Sequence, residues 1–213
     1  VAGAAAVRDD FGGSGAASGD LAAVGAHGDD GYTGSVYILQ VDSSAAAYTQ
    51  LVNLPADDAT AGDNFGYSVA IDGDTVVIGA YLKDSFSGAA YVFRTSDGGA
   101  TYGQVAKLTA SDGDVWDYFG WSVAIDGGTI VIGAWGDDDA GSRSGTVCVL
   151  LTTDGGATYG QVANLTASGA AYAQVAKLTA GDAAAGDYCG GSVAIAGATI
   201  VFGAYGDGSW LGS

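Results

Sequence analysis

Residues 118–135 read YFGWSVAIDGGTIVIGAW, and this stretch decides the fold because the chain writes it four times. The other copies are FGGSGAASGDLAAVGAH from Phe11, FGYSVAIDGDTVVIGAY from Phe65 and CGGSVAIAGATIVFGAY from Cys189. A repeat of this length is one supersecondary unit that cannot bury its apolar face alone, so the copies must stack on one another. Inside each copy two apolar runs flank a Gly-centred turn: Ser18-Gly19-Asp20, Asp72-Gly73-Asp74, Asp126-Gly127-Gly128 and Ala196-Gly197-Ala198. Glycine accepts the positive φ of a tight turn, and the pattern predicts an antiparallel hairpin in every copy.

Outward from the third copy, two further strands follow. The reading is Gly120 to Ile125, Thr129 to Trp135, Gly145 to Leu150 and an outer strand around Tyr159 to Leu165. Phe11, Phe65 and Phe119 stand 54 residues apart, whereas Cys189 follows Phe119 by 70. The excess comes from a longer loop after Trp135 and from a doubled outer strand, TYGQVANLTASGA then AYAQVAKLTAG. Tyr48, Tyr102 and Tyr172 each precede the next FG position by 17 residues, which assigns the register to the second copy and the insertion to the first. A four-stranded meander at this period predicts an all-β protein, a β-propeller of four-stranded antiparallel blades. A β-helix has shorter coils, and a pair of immunoglobulin-like sandwiches would not repeat one hairpin at constant spacing. The whole of 1–213 reads as a single propeller segment with units at about 1–54, 55–108, 109–178 and an incomplete 179–213. About three and a half blades are present. The start at Val1 and the stop at Ser213 inside a unit predict a piece of a longer chain, or a last blade completed by strands from a neighbour.

Composition narrows the function. Glycine is frequent (38) and proline nearly absent (1), which suits short strands and tight turns. The net charge of −18 is made by 24 acidic residues, every one an Asp, a residue that favours turns over helices. Six Lys and Arg residues are too few to neutralise a phosphate backbone, so no nucleic-acid partner is expected. The longest apolar runs are far shorter than a membrane span.

The pairs Phe65-Gly66 with Gly79-Ala80, and Phe119-Gly120 with Gly133-Ala134, resemble the FG-GAP repeat of integrin α-subunit propellers and of bacterial and algal surface proteins. The resemblance covers nearly the whole chain, with His27, Tyr81, Trp135 and Tyr205 where the family's name has Pro. It implies an innermost FG strand, usually seven blades, and an extracellular or cell-surface setting. It also implies a Ca²⁺ loop between the first two strands, but here that connection is a tight turn with no room for a cage.

Strand alternation puts the loops that enter the first strand, and those between the second and third, on one face. Most of the Asp residues fall there. Two readings stand for them: solvated turn residues, with Asp9, Asp63, Asp117 and Asp187 repeating a turn bond two positions before the FG site, or a Ca²⁺ site using Asp112, Asp114 and Asp117 with Asp137, Asp138 and Asp139. Cys148 replaces Tyr37 and Tyr91, and Cys189 replaces Phe65 and Phe119, at spacings that match once the insertion is counted. If that Tyr packs on the Phe of the next blade, the thiols meet and could form a disulfide in an oxidising compartment; the other reading is two buried reduced thiols. Asn164-Leu165-Thr166 is a glycosylation sequon on an exposed outer strand.

Trp116 and Trp210 do not recur between copies, lie in loops of the acidic face, and are the expected partner contacts. Recurrent Tyr67, Trp121, Tyr81, Trp135 and Tyr205 read as packing between blades. The single histidine, His27, sits at a strand end where its siblings are aromatic, and no nucleophile elbow or phosphate loop accompanies it. The expectation is a non-catalytic extracellular adhesion or structural module, possible Ca²⁺ included, that meets a protein or glycan at the cell surface or assembles with itself. The rivals are a glycan-binding module and a subunit of an extracellular fibre or sheath.

Overall fold

The computed structural model describes residues 8–152 apart from 43, 45 and 46, then 159–166, with backbone alone from 160, and 185–206. Three four-stranded antiparallel meanders and one hairpin account for the strands. Blade one holds β1 (Phe11–Ser18), β2 (Leu21–Ala26), β3 (Ser35–Asp42) and β4 (Ala47–Leu54) in that spatial order. Blade two holds β5 (Ser68–Asp72), β6 (Thr75–Ala80), β7 (Ala89–Arg94) and β8 (Gly103–Leu108). Blade three holds β9 (Ser122–Asp126), β10 (Thr129–Ala134), β11 (Thr146–Leu151) and β12 (Gly160–Thr166), and the fourth unit supplies β13 (Cys189–Ala196) and β14 (Thr199–Ala204). The FG strands are innermost: β1 packs beside β5, β5 beside β9 and β9 beside β13. This is a partial β-propeller whose blades follow the sequence period.

Strand β12 is the first of the two outer-strand copies, paired with β11 from Thr146↔Thr166 to Leu151↔Gly160. It lies where the outer strand was expected, around Tyr159 to Leu165. The second copy lies outside the described residues.

The core sits between blades, which explains why the second strands are apolar throughout. Along β6, Val76 and Ile78 face blade one with Phe65 and Tyr91, while Val77 faces blade three with Phe119 and Ile132. Side chains alternate across a strand, so a sheet covered on both faces needs apolar residues at every position. Each buried Val or Ile contributes roughly 1.5–3 kcal/mol relative to exposure. Outer strand β8 alternates exposed and half-buried positions, as an edge with one covered face should.

The FG and GA residues have a shared cause. Gly66 and Gly120 adopt φ of +87° and +88°, and each donates its N–H to the carbonyl of Gly79 or Gly133 of its own blade. A Cβ added at Gly25, Gly79 or Gly133 would collide with the carbonyl oxygen of Gly66, Gly120 or Gly190 in the following blade. That same carbonyl accepts a hydroxyl hydrogen bond from the preceding blade: Ser14 to Gly66 at 2.7 Å, Ser68 to Gly120 at 2.8 Å and Ser122 to Gly190 at 2.8 Å. Isolated parallel bridges Gly34↔Phe65, Gly88↔Phe119 and Gly145↔Cys189 complete each junction. On the opposite face the hairpin turns are chained: Gly73, Gly127 and Gly197 donate N–H to Ser18, Asp72 and Asp126 of the preceding blade.

The Tyr–Phe packing from which the cysteine pairing was read differs from the expected one. The Tyr of the third strand packs on the Phe of its own blade, Phe11 on Tyr37 and Phe65 on Tyr91, both at 5.4 Å between ring centres. Cys148 accordingly shares a layer with Phe119, while Cys189 packs with Val147 and Val149, whose side chains leave β11 on the opposite side. Both thiols are buried and neither is in a disulfide. Burial, with the Asp137 and Asp187 carboxylates nearby, pushes the Cys189 thiol up to about 12.

Candidate binding cleft on the acidic face

Two loops per blade build this face. In the first two blades the loop between the second and third strands makes a single tight turn, Asp29–Tyr32 and Lys83–Phe86, with Asp30, Asp84 and Ser85 at positive φ. Phe86 and Arg143 hold equivalent places in their loops, both at positive φ, and their carbonyls accept the N–H of Tyr118 and Tyr188 in the next blade. The face is thereby stitched blade to blade.

Beneath the loops runs a belt of rings. Tyr67 packs on Tyr81 at 4.4 Å and on Trp121 at 4.7 Å; Trp121 meets Trp135 at 5.5 Å; Trp135 meets Tyr188 at 5.4 Å. Tyr118 stacks on Trp135 and Tyr188 on Tyr205, at interplanar angles of 7° and 4°. Recurrent aromatics thus fill the seam between blades, as expected. Tyr118 and Tyr188 were missed as members, because only their neighbours on the strands repeat in every copy. His27 packs against Tyr67 at 5.4 Å, with Nε2 3.5 Å from the Asp10 carboxylate.

In the second blade a cation is built in. Lys83, 4% exposed, donates to the Asp63 carboxylate at 2.8 Å and to the Asp58 carbonyl, and the Asp63 carboxylate also accepts the Thr60 N–H. Lys107 bridges Asp58 and Asp84 at 2.8 Å each, and the Tyr91 hydroxyl donates to Asp58 at 2.7 Å. Burial opposes ionisation of Asp58, but the bonds from Lys107 and Tyr91 outweigh it and hold its carboxyl below the usual range.

The third blade carries an open cleft on this face. Asp114, Trp116, Asp117, Tyr118, Asp138 and Arg143 are among the residues that line a cleft of about 620 Å³. Trp116 is 54% exposed, at φ +80°, and its ring stacks on Phe86 of the preceding blade at 4.3 Å and 10°. The Arg143 guanidinium lies 5.8 Å from the centre of the Trp135 ring. Asp117 is buried and accepts the Asp114 N–H at 2.6 Å; burial first, then the Asp114, Asp138 and Asp139 charges, raise its pKa. The cleft can therefore present an aromatic plate, carboxylates and one guanidinium to a partner.

Of the residues singled out from sequence, Asp114, Asp117, Asp138 and Trp116 come together in this cleft. Asp112 is exposed outside its lining, and the Asp137 carboxylate accepts the Asp139 N–H of its own loop at 3.2 Å. No group of three or more His, Cys, Asp or Glu side chains is arranged to hold a metal ion among the described residues. Trp210 lies outside the described residues, as does the side chain of Asn164, whose backbone pairs with Cys148 in β12. The described residues include no helix long and apolar enough to cross a membrane.

Comparison with known proteins follows the same period. A family model described as FG-GAP repeat matches residues 48–93, 102–150 and 172–213. No curated protein matches the chain. Among solved structures the chain is similar to Saccharomyces cerevisiae Sqt1, at a TM-score of 0.49 and 14% identity over 78% of this chain and 37% of that one. The chain thus spans well under half the length of that structure.

Proposed function

The chain belongs to the FG-GAP repeat family, and from that premise we propose that it is a non-catalytic extracellular adhesion or structural module that binds its partner on the acidic face. The observation that carries the reading is Trp116, a large aromatic held half in solvent by a ring stack rather than buried by it. Tryptophan beside a polar rim is what interaction surfaces concentrate, since it offers a large contact area at low entropic cost. The rigid junctions beneath keep that plate fixed between blades. A panel of immobilised extracellular-matrix proteins and glycans tests the reading. The wild-type chain should bind a member of the panel and Trp116→Ala should lose that binding; equal retention by the variant, or no binding at all, rejects it.

A glycan is the second reading, favoured by the flat Trp116 ring next to Asp114, Asp138 and Ser142 as hydrogen-bond partners for hydroxyls. In that case the glycan members of the panel alone would respond. Calcium enters as a stabiliser of a face crowded with carboxylates rather than through a cage. Its measure is the melting temperature: a rise with Ca²⁺ beyond that given by sodium chloride of equal ionic strength, reversed by chelator, supports this role, and no difference removes it.

A further inference from the structure

The second and third blades carry the same local construction with one change, and the change has a chemical meaning. In blade two the Thr60 N–H donates to Asp63 Oδ2 at 2.8 Å, and the Lys83 ammonium closes on the same carboxylate. In blade three the Asp114 N–H donates to Asp117 Oδ2 at 2.6 Å, so the carboxylate is held in the same pose. The position of Lys83 is taken by Asp137, whose carboxylate turns to the Asp139 N–H within its own loop. Asp117 has no salt bridge among the described residues, although it is 5% exposed. Beside this carboxylate blade three has an open cleft of about 620 Å³, lined by Asp117 together with Trp116, Tyr118 and Gly136.

We infer that this cleft receives the protonated side chain of a lysine presented by a partner protein, with its ammonium on Asp117 as the Lys83 ammonium sits on Asp63. The sibling blade supplies the occupant's chemistry, a primary ammonium on a long apolar stem that is 4% exposed when seated. Charge agrees: three carboxylates, Asp114, Asp117 and Asp138, face the cleft against the one guanidinium of Arg143. The stem packs along Trp116 and Tyr118, and a cation near such rings is attracted by the negative face of the ring. A divalent metal needs several converging oxygens, an arrangement absent among the described residues. This inference names the partner chemistry for the adhesion reading and rests on it only in taking the cleft as the contact site.

The test uses the chain as it is, with Nα-acetyl-lysine methylamide as probe and its Nε-acetylated form as the uncharged control. Backbone and indole NMR shifts at Asp114, Trp116 and Gly136 are expected to saturate at millimolar lysine probe and to stay still with the control. Asp117→Asn, which keeps an oxygen for the Asp114 N–H, should weaken binding at least about tenfold, as expected for loss of a charged hydrogen-bond partner. Asp137→Lys, which copies blade two into blade three, should stay folded and abolish binding by filling the cleft from within. Failure to saturate, equal response to the acetylated control, binding unchanged in Asp137→Lys, or shifts produced by Ca²⁺ and not by the amine each overturn the inference. If the amine fails while Trp116-dependent binding to the panel persists, only the lysine chemistry falls; if the amine binds and the panel does not respond, the adhesion reading falls alone.

Discussion

Replacing Lys83 with Met would leave the Asp63 carboxylate, 11% exposed at its side chain, without its cation. Breaking one side of a buried pair is far more costly than never having built it, so Lys83→Met is expected to lower stability by about 3 kcal/mol in urea denaturation. An unchanged midpoint would show that the pair is screened by solvent. Asp117 gives the opposite sign. Its pKa is raised in the folded state, by burial above all, so the folded chain holds that proton more tightly than the unfolded one. The stability it contributes is therefore present below the unfolded value, about 3.9, and is lost as pH rises through the raised folded value. Asp117→Asn removes this dependence. Its melting temperature should gain on the wild type as pH rises across that interval, and parallel pH curves for the two proteins would contradict the assignment.

Among the elements, the second strand of each blade carries the tightest constraint. Gly79 meets the Gly120 carbonyl and the Ser68 hydroxyl, whereas a Cβ at Gly73, in the hairpin turn at φ +52°, meets nothing. Gly73→Ala is thus expected to cost about 1–2 kcal/mol for left-handed backbone alone. Gly79→Ala must push two blades apart and should cost more, about 3 kcal/mol, or give no folded protein. Comparable midpoints for the two variants would show that the junction can give way. Strand β11 makes a second element-scale prediction, since adjacent residues send Cys148 and Cys189's neighbours to opposite layers. A thiol count after denaturation without reductant should find two free groups, and reductant should leave the melting temperature where it was; one missing pair of thiols would refute the layer assignment.

For the whole molecule, a net charge of −18 spread over a partial ring means self-repulsion in the folded state. Raising ionic strength from about 0.01 M to 0.15 M shortens the screening length from about 30 Å to 8 Å and is expected to raise the melting temperature; a fall would mean that the Lys83 and Lys107 networks outweigh the repulsion. The blade period, the tight turns and the acidic face were legible in residues, because a repeated pattern of period two states its own strands and their loops; the innermost place of the FG strand was implied by the family resemblance alone. Trp116 was legible, with Trp210, as an aromatic that does not recur between copies. The Ser14, Ser68 and Ser122 bonds were written in every copy but carry no signal until the neighbouring carbonyl is placed.

By itself the sequence determined that four like units must stack through apolar faces, since alternation, glycine turns and constant spacing act locally and allow no other burial. Only the tertiary structure decided what touches what across the seams. It put Tyr91 on the Phe of its own blade, sent Cys148 and Cys189 to opposite sides of one sheet, and seated Lys83 on Asp63 in blade two while Asp117 of blade three lines a cleft. Those contacts depend on which side of a strand a residue leaves and on how far one blade leans on the next, and neither distance nor side is carried by spacing along the chain.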